Sequence, residues 1–201
     1  MHQTLVPVPP VEHRSRGRRV VVVVCGVVLA VLLAAATAVG VSLWSPARIL
    51  GLPFAPNVQS GHIADGQSAT LHDEHLPAIA NLDPRLLTAM RDASAAAAAD
   101  GLTLDVMSGW RSREYQQWLL EDAIESYGSE KIARQFVATP ERSQHVTGKA
   151  IDVGPLDAQF WLIEHGAQWG LCQIYANERW HFEIATDPGG TCPELLADAE
   201  G

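Results

Sequence analysis

Two histidines and two carboxylates stand out by type and spacing. His145 and Asp152 lie seven residues apart in Ser143-Gln144-His145-Val146-Thr147-Gly148-Lys149-Ala150-Ile151-Asp152, and His181 follows Glu178 by three in Glu178-Arg179-Trp180-His181. Two imidazoles and one carboxylate suffice to hold a zinc ion with one coordination position open. A catalytic zinc keeps a water there and lowers its pKa from about 15.7 to about 7. A further carboxylate then takes the water's proton as a carbonyl is attacked and passes it to the leaving amine. Glu178 suits that task, because the proton acceptor should not itself be a ligand. Arg111, in Ser108-Gly109-Trp110-Arg111-Ser112, offers a fixed cation for the developing oxyanion. Taken singly, His145 reads as a core histidine, Asp152 as a turn cap and His181 as a strand residue beside Trp180. Together and in this order they read as a hydrolytic metal site, not as a structural zinc, which usually closes with four Cys or His ligands.

The pattern S-x-H-x-x-G-x-A-x-D is met in full from Ser143 to Asp152, with a later E-x-W-H and an earlier S-G-W-R-S. This set resembles the VanY-type D-alanyl-D-alanine carboxypeptidases, zinc peptidases grouped with VanX-like dipeptidases and LD-carboxypeptidases. The resemblance runs from about Leu82 to Ile184. It implies His145, Asp152 and His181 as ligands of one Zn2+, Glu178 as acid/base and Arg111 on the scissile carbonyl. It also implies Ser143 at the substrate's terminal carboxylate and Gln117 in the pocket. Three positions depart from the family pattern: Trp110 replaces the usual tyrosine, Arg179 replaces a proline, and the segment between Asp152 and Glu178 is short. These bear on substrate choice, since no ligand or base is lost. Trp110 reads equally as a cleft wall and as a core aromatic.

The elements that must position these residues read as α+β, with a small antiparallel sheet carrying the metal ligands and helices around it. Asp83-Pro84 caps a helix that runs through Leu86, Met90 and the alanines 95–99 to Gly101. Leu102, Leu104 and Val106 alternate as a strand and deliver Ser108 to Arg111 at its end. A helix over 113–127 and a short one over 130–136 follow. Residues 146–153 read as a strand with Gly148 at a bulge or close backbone approach. A helix over 158–169, capped by Asp157, directs Phe160, Trp161 and Ile163 to the core, and 174–175 and 180–184 supply two last strands.

The expected organisation is a basic arm (1–19), a transmembrane signal anchor (20–44), a linker (45–81) and a catalytic domain (82–201). Residues 20–44 contain no charge and span about 37 Å as a helix, enough for a bilayer core of about 30 Å. Arg14, Arg16, Arg18 and Arg19 precede them, which keeps the N-terminus cytoplasmic and the domain outside. A cleavable signal peptide ending at Ala36-Thr37-Ala38 is the competing reading. His72-Asp73-Glu74-His75 reads as a solvated turn, not a second metal site. The formal charge is −9; without the four Arg and one Glu of the arm, the remainder carries −12. That argues against a nucleic-acid partner. Cys25 lies within the anchor, whereas Cys172 and Cys192 fall in the exported domain and are expected to pair.

The expected activity is removal of the C-terminal D-alanine from peptidoglycan stem peptides outside the membrane. The alternatives are an LD-carboxypeptidase, an endopeptidase of the same fold, or a non-catalytic zinc-bearing cell-wall binding module.

Overall fold

The computed structural model describes residues 54–200, and from Phe54 onward they belong to one compact unit. In chain order these residues hold α1 (Pro77–Ala80), α2 (Pro84–Ala99), β1 (Asp105–Ser108), α3 (Arg113–Tyr127) and α4 (Glu130–Ala133). Then come β2 (Ala150–Gly154), α5 (Leu156–His165), β3 (Leu171–Gln173) and β4 (His181–Ile184), with 3-10 turns at Val58–Ser60 and Gly166–Trp169. The strands form one sheet in the order β1-β2-β4-β3, each neighbouring pair antiparallel. The fold is α+β.

Period-two alternation decides which side of the sheet does what. On central β2, Ile151 and Val153 enter the core, together with Phe182 of β4, Val106 of β1 and Leu86 and Met90 of α2. Asp152 and His181 point the other way, into a cleft. Asp83 caps α2 by accepting from the Arg85 N–H, with Pro84 at the first position. Ala93 and Ala97 of the same helix are fully buried, whereas Ala95, Ala98 and Ala99 of the alanine run are exposed, so only one face of it packs closely. Ser112 caps α3 in the same manner, and Gly128 closes it in the left-handed region.

Several sequence expectations shift. The strand expected over 146–153 begins only at Ala150, because 143–148 folds into successive turns: Val146, Thr147 and Gly148 donate to the carbonyls of Ser143, Gln144 and His145. Gly148 has φ 71°, and a Cβ there would stand 2.2 Å from the Asn81 carbonyl oxygen, so the close backbone approach is the relevant feature. The helix expected over 158–169 starts at Leu156 and gives way to a 3-10 turn at Gly166. In that helix Trp161 and Leu162 are buried, while Phe160 is 52% and Ile163 43% exposed, so the expected core face was out of phase for two of three residues. The strand read over 174–175 lies earlier, at Leu171–Gln173.

The expected linker also differs within the described residues. Ala69, Leu71 and Ile79 belong to the core, and Ala69 bridges Val106 in the sheet. Small and polar residues interrupt this stretch, so its burial depends on what lies against it and not on any period of its own. Among the described residues no helix is long and apolar enough to cross a membrane. The expected arm and anchor lie outside them, as does Cys25.

Candidate active site

Cross-strand register brings the first two groups together. Asp152 on β2 pairs directly with His181 on β4, and Ser108 on β1 pairs with Asp152 from the other side. His145 reaches the same point from the turn before β2, where its Nδ1 lies 2.7 Å from the Gly109 carbonyl oxygen. On its other side Gly109 passes close to α1, where a Cβ would meet the Ala78 carbonyl oxygen at 2.2 Å. With Nδ1–H donated to that carbonyl, His145 turns the Nε2 lone pair inward.

His145 Nε2, Asp152 Oδ1 and His181 Nδ1 are each 3.2 Å from the other two. Ligand atoms about 2.0–2.1 Å from a single tetrahedral ion stand roughly 3.3–3.4 Å apart, so the three atoms fit one ion of zinc's size and preference. All three residues are buried. Outer partners hold each one. His181 Nε2 is 3.0 Å from Glu183 Oε1, the carboxylate–histidine arrangement that fixes ring orientation and raises ligand basicity. Asp152 Oδ2 accepts from Arg111 Nη2 at 2.7 Å. Arg111 is itself pinned, donating through Nε to Ser108 Oγ (2.8 Å) and through Nη1 to Gln116 Oε1 (3.2 Å).

The electrostatics follow from burial and from these partners. Burial lowers the His145 pKa, with the Arg111 cation acting in the same direction. On Asp152 burial favours the neutral form, yet the two histidines and Arg111 outweigh it and hold the carboxyl well below its usual range. Burial opposes the charged form of His181 too, but hydrogen bonds to Asp152 and Glu183 win and raise its pKa to about 9. Glu178 lies with Oε2 3.8 Å from His181 Nδ1, beside the ligands without replacing any of them. Burial raises its pKa to about 7, with the Asp152 charge adding and His181 and Arg111 opposing. A carboxyl poised near neutrality suits a group that must both accept and return a proton.

The cleft around these groups measures about 320 Å³. Ser143, buried, and Arg111 both line it. Gln117 does not: it is exposed on α3 and donates to Glu121 Oε1 at 2.8 Å. Its neighbour Gln116 is the buried cleft residue, tied to Arg111 and, through Nε2, to the Ala138 carbonyl. One helical step of 100° separates the two faces, and motif distance alone does not resolve it. Trp110 is half-buried beside α1, its backbone N–H donating to the Ala78 carbonyl, and is not among the residues that line the cleft. Cys172 and Cys192 form a disulfide. The sequence reading missed Glu183 and Gln116, and also Tyr175, whose ring sits 5.1 Å from that of His181. For Glu183 a signal existed: two residues beyond His181 on a strand, it shares that residue's face.

Fold and site together define a small α+β domain with a buried two-histidine, one-aspartate group of metal-binding geometry and a protonatable glutamate beside it. The chain belongs to the VanY family of D-alanyl-D-alanine carboxypeptidases, whose family model matches residues 79–187. A curated D-alanyl-D-alanine carboxypeptidase of Enterococcus faecalis is 27% identical over 139 residues, covering 55% of this chain; the chain spans about half (52%) of that relative. Two solved structures share the fold. A mutant of the vancomycin-resistance D,D-pentapeptidase VanY, from a VanB-type cassette and in complex with Zn(II), matches with a TM-score of 0.50 at 24% identity, over 66% of this chain and 83% of its own. VanYB in complex with D-alanine-D-alanine matches with a TM-score of 0.50 at 23% identity, over 66% and 81%.

Proposed function

We propose that this protein is a zinc-dependent D-alanyl-D-alanine carboxypeptidase that removes the terminal D-alanine from peptidoglycan stem peptides outside the cytoplasmic membrane. The observation that carries the reading is the set of three buried ligand atoms, mutually 3.2 Å apart, with Glu178 poised beside them. Family membership supports the substrate class, and the Cys172–Cys192 disulfide supports an oxidising compartment. The uncharged stretch 20–44 after four arginines supports a membrane anchor with the domain outside.

His145, Asp152 and His181 would hold the ion, which when bound supplies a Lewis acid for the scissile carbonyl and a lowered pKa for water. Glu178 Oε2 takes a proton from the attacking water and returns it to the amine of the departing D-alanine, so the C–N bond breaks as a C–O bond forms. Ser143 holds the leaving residue's carboxylate. Arg111 fixes Asp152 through Nη2, and its cleft-facing cation offsets negative charge developing on the carbonyl oxygen.

The test is to incubate the zinc-loaded protein with a pentapeptide and a tetrapeptide stem side by side and to read the products by mass spectrometry. Loss of one alanine from the pentapeptide alone is the expected result. Loss from the tetrapeptide alone would make it an LD enzyme. No loss from either, with stoichiometric zinc, would overturn the carboxypeptidase reading and leave an endopeptidase or a binding module.

A further inference from the structure

The family match ends at residue 187, yet the chain goes on to build part of the cleft. Cys192 is bonded to Cys172 on β3. Four residues later Leu196 runs parallel to the segment after β3: its N–H donates to the Ile174 carbonyl (2.9 Å), and its own carbonyl accepts from Ala176 (2.8 Å). The segment then crosses to the loop that follows α4. The Glu200 carboxylate accepts from Arg134 Nε at 2.7 Å, and its carbonyl oxygen from Arg142 Nη2 at 2.6 Å. Between these fastenings Ala199 is buried and lines the cleft.

The place of this strap gives it a role. Arg142 immediately precedes Ser143, and the strapped loop also carries Ala138, whose carbonyl holds Gln116. The strap is thus fastened to the wall that contains Ser143. We infer that residues 193–200 close the cleft beyond the leaving residue, with Ala199 as the specificity-determining position, so that peptides ending there fit and peptides continuing past it do not. This rests on the proposed function, in which Ser143 holds the leaving residue's carboxylate. A closed end makes an exopeptidase; an open one would admit a chain running through, as an endopeptidase requires. The alanine methyl group also restricts the leaving residue to a small one.

The experiment compares a peptide ending in D-Ala-D-Ala with the same peptide extended by one glycine. Binding to the zinc-loaded Glu178→Gln chain is measured by calorimetry, and cleavage by the chain with Glu178 intact is followed by mass spectrometry. The full chain is expected to favour the unextended peptide by at least 100-fold. A chain stopped after Glu194, which keeps the disulfide, is expected to narrow that ratio at least tenfold, mainly by gaining the extended peptide. Arg134→Ala/Arg142→Ala, which unfastens the strap without removing it, should move the ratio the same way and decides the matter if the shortened chain does not fold. Ala199→Trp should weaken binding of both peptides. An unchanged ratio in a folded, zinc-loaded shortened chain or double variant overturns the strap's role while leaving the activity intact. If the full chain neither binds nor cleaves either peptide, the proposed function falls and the strap's role falls with it.

Discussion

Glu178 and His181 show how much of this site depends on the surroundings of individual side chains. Removing the Glu178 carboxylate by Glu178→Gln should lower kcat by about 10²–10⁴, the usual range for a positioned acid/base. Zinc content, measured by elemental analysis, should stay at one per chain, because Glu178 lies beside the three residues of metal-binding geometry and outside their group. Loss of zinc in that variant would make Glu178 a ligand and leave the base unassigned. His181 makes a second expectation, for the metal-free protein. Its pKa is about 9 in the folded state, against about 6.5 in an unfolded chain. A raised histidine contributes stability that is fully present below about pH 6.5 and is lost as pH rises through about 9. The metal-free melting temperature should therefore fall across that window. Zinc must displace this proton, so its affinity should rise over the same window by up to about tenfold per pH unit. A chelator competition that is flat from pH 6.5 to 9 would show that His181 is already neutral.

At the scale of elements, β4 shows how one strand serves both the site and the core. His181 and Glu183 alternate with buried Phe182, so one strand supplies a ligand, the carboxylate that orients it and a core anchor. Glu183→Ala should weaken zinc binding about 10–100-fold, the range found for lost outer partners of metal ligands, while the fold melts within a few degrees of the parent. Unchanged zinc affinity would mean that the Glu183 contact does not orient the ring. Much at this scale was legible beforehand. The caps at Asp83 and Ser112 and the stop at Gly128 act through neighbours a few residues away, so local sequence revealed α2 and α3. The phase of α5 was not legible: Phe160 and Ile163 are as apolar as Trp161 and Leu162, and only contact with β2 and α2 selects which pair is buried.

Over the whole molecule, the disulfide ties the segment beyond the family match to the sheet that carries the ligands. Breaking it by Cys192→Ser should cost about 3 kcal/mol by the loop-entropy estimate for a 20-residue separation, read from denaturant melts. If stability stayed within ~1 kcal/mol of the parent, the segment would have to be held by its backbone bonds and by Arg134 and Arg142 alone. Residues 54–81 are the other case of long-range organisation. Read along the chain they look like a linker, yet Leu71 and Ile79 sit in the core and Ile63 and Asp65 line the cleft.

By itself the sequence singled out His145, Asp152, His181 and Glu178, the groups that the fold brings together, and the α+β frame around them. Ligand types, their order and local capping signals are written in neighbouring residues. The tertiary structure alone decided which glutamine faces the cleft, which carboxylate braces His181, and which flanking segments wall the site. Those outcomes depend on helix phase, on strand register and on contacts between distant residues. Sequence spacing does not encode them, because the geometry exists only once β2 and β4 have paired and the chain on either side has packed against them.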